Sequence, residues 1–254
     1  MSHSPDHLGP LAEAPKPSAS PRRLAITAAA SVLLAVILLP ADGPISTWAR
    51  SLNPGGDLKR ELEVLQQFGG ATSVIIVLLC MIALDAQRVR RMLDWALAAM
   101  CTSLSVLVIK MLAGRPRPKF ADPLQFNGPF GQYIDPTKVN ADGTSHIVGP
   151  AFGFGREELW SMPSSHTSAA FVLAVFLATM YPRLKPMAFG FAILVGVCRV
   201  VFGAHYLTDV LVGGMIGWAI ASVIIPRGLG VRALDAIWIT WIDPKATPAW
   251  RGED

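Results

Sequence analysis

A chain of 254 residues with 52% hydrophobic and only 16% charged residues has the composition of one compact membrane bundle, since soluble domains carry roughly 25% charged residues. Its formal charge of +4 does not mark a nucleic-acid binder, because the basic residues sit where they report membrane topology. Cys80, Cys101 and Cys198 all lie in apolar runs, without C-x-x-C spacing or a histidine partner, which excludes a disulfide framework and a cysteine zinc site.

Residues 1–21 are rich in Pro, Ser and Ala and cannot bury a core, so they are expected to form a disordered tail. Arg22 and Arg23 then introduce an apolar run over 24–39. A long polar leader and the lack of an A-x-A site after the run favour an uncleaved span over a signal peptide. In the connection that follows, Ile45, Trp48, Ala49 and Leu52 share one helical face, as do Leu58, Leu62 and Leu65. Two interfacial helices are expected there. Further apolar runs cover 68–84, 93–112, 164–181, 187–204 and 207–225. Each is near the ~20 residues that cross a bilayer, and in lipid each must be helical to satisfy its own backbone. The expected fold is therefore all-α, a bundle of six transmembrane helices over residues 22–226.

Residues 113–163 form a long connection whose many glycines and prolines disfavour regular structure. Its aromatics, Phe120, Phe126, Phe130, Tyr133, Phe152, Phe154 and Trp160, favour a packed cap over a free linker. In the final segment, 227–254, Leu234, Ile237, Trp238, Trp241 and Ile242 recur at helical spacing and predict an interfacial helix. Lys16, Arg22, Arg23, Arg88, Arg90, Arg91, Arg183, Lys185, Arg227 and Arg232 all fall on the side of the two termini. On the other side Arg50, Lys59 and Arg60 are balanced by Asp57, Glu61 and Glu63. The positive-inside rule then puts both termini in the cytoplasm and 113–163 outside.

Several polar residues converge on that outer boundary. Lys110 ends the third span and is followed by Arg115 and Arg117 in "KMLAGRPRP". "MPSSH", residues 162–166, opens the fourth span, Arg199 ends the fifth, and His205 and Asp209 open the sixth. A charge at mid-bilayer costs at least about 2.5–3.5 kcal/mol. Lys and Arg near a helix end escape this by snorkelling, whereas the short stem of Asp209 cannot reach far. His205 and Asp209 are four residues apart on one helix face. The carboxylate can accept a hydrogen bond from one imidazole nitrogen and leave the other as a directed lone pair. Pro163 and Ser164 sit where a helix begins, so free backbone N–H groups there can face an anion. His166, in the first turn, can give or take a proton, and Lys110, Arg117 and Arg199 supply positive charge. Such a set suits phosphoryl transfer. No cluster of carboxylates is expected to be available to hold magnesium, so the cations must neutralise the phosphate. A transporter also holds intramembrane charges, but near mid-bilayer and on broken helices.

The spacing resembles a known three-part signature. Lys110, Arg117 and Pro118 match K-x6-R-P, residues 163–166 resemble P-S-G-H, and Arg199, His205 and Asp209 match R-x5-H-x3-D. Over about 68–225 the chain thereby resembles the type 2 phosphatidic acid phosphatase superfamily, which also contains the vanadium haloperoxidases. The resemblance implies a phosphatase that needs no metal or other cofactor. It makes His205 the nucleophile that forms a phosphohistidine, Asp209 its orienting partner and His166 the acid for the leaving oxygen. Lys110, Arg117, Arg199, Ser164 and the backbone N–H of Ser165 would hold the phosphate. Two positions depart from the pattern: Ser165 replaces the glycine of P-S-G-H, and Cys198 replaces the serine before the third-motif arginine. The implied partners are a phosphorylated lipid and the bilayer, not nucleic acid, at a site facing the periplasm from a bacterial inner membrane. Phosphatidic acid, phosphatidylglycerol phosphate, undecaprenyl pyrophosphate and lipid A all fit as substrates. The sequence does not choose among them and is silent on oligomeric state.

Overall fold

The computed structural model describes residues 20–153 and 157–245. The expectations for most of the tail 1–21, for Phe154 and for the end of 227–254 lie outside the described residues. In chain order the helices are α1 (Pro21–Leu38), α2 (Asp42–Ser51), α3 (Gly56–Leu65), α4 (Ala71–Leu84) and α5 (Met92–Ala113). After the long connection come α6 (Ser165–Met180), α7 (Lys185–Val201), α8 (Leu207–Ile224) and α9 (Leu229–Trp241). The six expected spans correspond to α1, α4, α5, α6, α7 and α8, and the expected interfacial pieces to α2, α3 and α9.

Four stretches, Arg22–Ser51, Ala86–Phe120, Pro182–Val201 and Leu207–Ile224, are helices long and apolar enough to cross a membrane. Ala71–Leu84 and Ser165–Met180 are shorter. The 16 residues of α6 rise only about 24 Å against a hydrocarbon core of about 30 Å. Its position explains the shortfall. α6 packs against α5, α7 and α8, and Ala170, Val172, Leu173, Ala174 and Phe176 on all its faces are buried. A helix surrounded by protein does not have to match the lipid. By contrast α1 leaves Ile26, Leu33, Val36 and Ile37 exposed, as a lipid-facing helix must.

Two glycines let α8 approach the start of α6. A Cβ on Gly213 would stand 2.5 Å from the Ser164 carbonyl oxygen, and one on Gly217 would stand 2.2 Å from that of Ser168. This is small-residue packing at i, i+4, which membrane bundles use because lipid supplies no hydrophobic force between helices. The Ser164 N–H then donates to the Asp209 carbonyl at 3.0 Å. The second and third sequence motifs are thus fastened backbone to backbone.

At the opposite end of the bundle Asp94, the third residue of α5, accepts the N–H groups of Gly230 and Val231 at 2.7 and 3.1 Å. It caps the start of α9, while Arg91 pairs with Asp94 and donates to the Ile225 carbonyl. α9 is therefore docked on the bundle, and the exposed ring of Trp241, 81% accessible, is left at its far end.

The connection 113–163 is more regular than its glycines and prolines suggest. It contains an antiparallel hairpin of β1 (Tyr133–Val139) and β2 (Ser145–Val148), with an irregularity between Ile134 and Val139. The strands are rich in the β-branched and aromatic residues that fit a pleated surface, and Asp142–Gly143 supplies the turn. Phe120, Tyr133, Val148, Ala151 and Leu159, with Trp160 against them, form a separate small core. The cap expected from the aromatics is thus built by Phe120, Tyr133 and Trp160, whereas Phe126, Phe130 and Phe152 stay exposed.

Gly217→Ala is expected to force α8 off α6 and to lower stability by about 1–3 kcal/mol, read as a lower Tm in detergent. Gly190→Ala, where a Cβ meets nothing within 4 Å, should leave the Tm unchanged or slightly raised. Equal Tm values for the two variants would remove the close contact from the account of the fold.

Candidate active site

Every residue expected at the site lies at one end of the bundle. α5 stops at Gly114, whose left-handed conformation (φ 57°) turns the chain out of the last helical turn. Lys110, in that last turn, is buried, and its Nζ donates to the Trp160 carbonyl at 2.6 Å. Arg117 follows in extended backbone and is held at two points. Its N–H donates to the Glu158 carbonyl at 3.0 Å and its Nε to the Glu157 carbonyl at 2.7 Å. Arg199, in the last turn of α7, donates from Nη1 to Gln66 Oε1 at 3.1 Å, and its buried Nε has no partner among the described residues. Lys110, Arg117 and Arg199 all act electrostatically on the exposed imidazole of His166.

Ser164 is the N-cap of α6. Its Oγ accepts from the N–H and the hydroxyl of Thr167 at 3.5 and 3.0 Å. Because it accepts twice, its own proton remains available to donate. Ser165 is the first residue of α6 and is exposed, so its side chain points away from the buried packing that would have required glycine. The first-turn N–H groups of Ser165 and His166 have no acceptor inside the helix, and the same turn carries the His166 imidazole on which the three cations act, which makes the site suited to an anion.

His205 lies in the connection between α7 and α8 and is 2% exposed. Its Nδ1 is 2.6 Å from the Ser161 carbonyl. A carbonyl only accepts, so Nδ1 carries the proton and Nε2 carries the lone pair. Burial pushes this imidazole down to about 4, with Lys110 and Arg117 acting in the same direction and Asp209 against them. At neutral pH it is therefore uncharged, with a free lone pair on Nε2.

The direct hydrogen bond expected from His205 to Asp209 is absent. Asp209 Oδ2 stands 3.7 Å from Nδ1, beyond hydrogen-bond range. The reason is that Asp209 sits in the first turn of α8 and folds back on its own helix start. Oδ2 accepts the Tyr206 N–H at 2.9 Å and the Ser161 hydroxyl at 2.6 Å. Asp209 thus reaches His205 through Ser161, whose hydroxyl it holds and whose carbonyl sets the imidazole tautomer.

The other oxygen of Asp209 reveals a residue that sequence reasoning placed at this boundary without a role. Arg115 is 0% exposed. It donates from Nη1 to Asp209 Oδ1 at 2.6 Å and from Nη2 to Asp42 Oδ2 at 2.7 Å. It also reaches Thr208 Oγ1 at 2.9 Å and the Pro123 carbonyl at 3.0 Å, with the Tyr206 ring 4.4 Å from its Cζ. Asp42 in turn accepts the Thr208 N–H at 3.0 Å and the Thr208 hydroxyl. Arg115 had a weak signal, a second arginine in "GRPRP"; Asp42 had none.

The arrangement as a whole offers a neutral imidazole with a directed lone pair, a second imidazole open to solvent, three cations and a helix start. A family model of the PAP2 superfamily matches residues 91–228 of the chain. Among solved structures the chain is similar to a transmembrane PAP2 type phosphatidylglycerolphosphate phosphatase from Bacillus subtilis. The two share 21% identity with a TM-score of 0.53, over 84% of this chain and 96% of that one. It is also similar to LpxE from Aquifex aeolicus, with 21% identity and a TM-score of 0.48, over 72% of this chain and 93% of that one. No curated protein sequence matches the chain.

Removing Arg115 leaves two buried carboxylates facing one another. Arg115→Met is expected to destabilise the protein by about 3–5 kcal/mol, measured by thermal unfolding in detergent. Adding Asp42→Asn to Arg115→Met should recover part of that loss, because one uncompensated charge is gone. A double variant no more stable than the single one would show that Arg115 acts through packing alone.

Proposed function

Because the chain belongs to the PAP2 superfamily, we propose that it acts as a membrane phosphatase on a lipid phosphate, removing a phosphomonoester or a terminal phosphate through a phosphohistidine. The observation that carries this reading is the tautomer of His205: Nδ1–H is held by the Ser161 carbonyl, which leaves Nε2 as the nucleophile. Nε2 attacks phosphorus as the bond to the leaving oxygen breaks. His166 donates its proton to that oxygen. Water, losing its proton to His166, then attacks the phosphohistidine and releases phosphate. Lys110, Arg117 and Arg199, with the first-turn N–H groups of α6 and the Ser164 hydroxyl, neutralise the phosphate oxygens, so this step requires no metal. Asp209 and Arg115 position the nucleophile through Ser161.

A lipid suits the surroundings. An apolar cavity of about 590 Å³ runs between α1, α2, α6, α7 and α8. Thr167, next to His166, lines it, and along α8 its lining extends from Leu207 to Trp218, about 16 Å of helix. A phosphate at the site and an acyl or isoprenyl chain in the cavity are compatible. The same geometry accepts the terminal phosphate of a lipid pyrophosphate such as undecaprenyl pyrophosphate, or a lipid A phosphate. A transporter is disfavoured because the charges gather at one end of the bundle. The lysine and arginine asymmetry orients the protein with both termini cytoplasmic and the site outside a bacterial inner membrane.

Purified His205→Ala is expected to lose phosphate release by at least about a thousandfold while keeping its Tm and elution volume. The wild-type protein should still turn over phosphatidic acid or undecaprenyl pyrophosphate in EDTA. A folded His205→Ala protein with near-normal release sinks the nucleophile assignment, and loss in EDTA that magnesium restores sinks the metal-free step. For orientation, Asn140→Cys in a background without Cys80, Cys101 and Cys198 should react with an impermeant thiol reagent in intact cells. Reaction only after lysis inverts the topology.

A further inference from the structure

The hairpin in the 113–163 connection carries a cluster that the chemistry above does not use. Asp135 on β1, His146 on β2 and Glu158 in the turn Glu157–Leu159 each offer a ligand atom, and these atoms all lie within 4.8 Å of one another. The register brings the first two together: Ile134 pairs with Ile147, and Asp135 and His146 are the next residues along each strand.

Asp135 is 2% exposed. Its Oδ1 accepts the N–H and hydroxyl of Thr137 at 2.8 and 2.6 Å. Its Oδ2 is buried and has no hydrogen-bond partner among the described residues. A buried carboxylate oxygen without a donor is unfavourable, and a cation bound to it removes the penalty. His146 Nδ1 lies 3.3 Å from Asn140 Oδ1. With Nδ1–H donating to that amide oxygen, Nε2 presents its lone pair, the second-contact arrangement typical of metal-binding imidazoles. Glu158 pairs through Oε1 with Lys119 and, at 3.8 Å, with Lys138. Both lysines are about half exposed, and such pairs are worth about 0–1 kcal/mol, so a metal displaces them readily.

We propose that Asp135, His146 and Glu158 bind a divalent transition-metal ion of the zinc class. Asp135 Oδ2, His146 Nε2 and a Glu158 carboxylate oxygen are its ligands, and water completes the shell. One imidazole with two carboxylates favours zinc over magnesium or calcium, which take oxygen ligands alone. Ligands about 2.0–2.2 Å from a tetrahedral zinc are about 3.4 Å apart, so atoms now within 4.8 Å of one another draw together by at most about 1.4 Å. The part-exposed His146 and Glu158 side chains can supply that movement. The ion joins the hairpin to the segment whose Glu157 and Glu158 carbonyls hold Arg117. It acts as a clasp on the loop and does not touch the phosphate. The proposal stands independently of the substrate, and indeed of phosphatase activity.

The test is zinc binding by the untagged full-length protein in detergent, by isothermal titration and by metal content after dialysis against buffered micromolar zinc. His3, His7, His166 and His205 are the chain's other histidines, so each assay includes a His3→Ala/His7→Ala double variant and His166→Ala. The expected result is one zinc per chain that magnesium does not displace. His146→Ala and Asp135→Asn should each weaken it by at least about tenfold, and the His3/His7 and His166 variants should leave it unchanged. Zinc should also slow tryptic cleavage after Lys138 in the wild-type protein and not in His146→Ala. The metal-free Tm of His146→Ala, equal to that of the wild type, certifies its fold. Absence of stoichiometric zinc overturns the proposal. So does zinc that survives both Asp135→Asn and His146→Ala, or zinc that His166→Ala removes.

Discussion

Arg115 holds the site together from beneath. It is a guanidinium without solvent, clamped between Asp42 at the start of α2 and Asp209 at the start of α8. A buried ion pair is not by itself a strong source of stability, because desolvation offsets the attraction. Its value here is geometric. The planar fork fixes two carboxylates from distant parts of the chain at once, and each carboxylate then spends its remaining capacity on a further element. Asp42 takes the N–H and hydroxyl of Thr208. Asp209 takes the start of its own helix and Ser161. The orientation of His205, through the Ser161 carbonyl, is the last link of that chain.

The bilayer imposes a second constraint. Helices in lipid gain nothing from hiding apolar surface against one another, so the bundle relies on close backbone contact. Gly213 and Gly217 provide it between α8 and α6, at the level where the candidate site residues gather. The short α6, buried along most of its length, then presents its N-terminus, with its unpaired N–H groups, to the same place as the ends of α5 and α7. One arrangement of helix ends thus serves the packing and gathers the groups proposed to hold the phosphate.

The 113–163 connection contributes to the site from above. Trp160 lends its carbonyl to Lys110, Glu157 and Glu158 lend theirs to Arg117, and Ser161 lends its carbonyl to His205. Three of the groups assigned to phosphate chemistry are therefore aimed by backbone carbonyls of one short segment. The segment rests on a small aromatic core of its own, and the hairpin beside it supplies that core with Tyr133 and Val148.

The six apolar runs and the two amphipathic faces between the first pair could be read directly, because the bilayer demands long apolar helices and leaves a one-dimensional trace. The spacing of Lys110, Arg117, Ser164, His166, Arg199, His205 and Asp209 was equally legible, since each group lies near the end of an apolar run and antiparallel apolar helices bring alternate ends together. The hairpin was masked by the glycines and prolines around it, and its strands alternate too briefly to stand out. What acts on what was not readable at all. The spacing of His205 and Asp209 suggested a direct bond, yet the carboxylate turns back to cap its own helix and reaches the imidazole through Ser161. Asp42 carried no signal, because its partner Arg115 lies 73 residues away. The sequence by itself determined the spans and the inventory of charged groups, through hydrophobicity and the penalty for placing charge in lipid. Only the tertiary structure decided the pairing of those groups, because hydrogen bonds form over about 3 Å between side chains that the chain order leaves far apart.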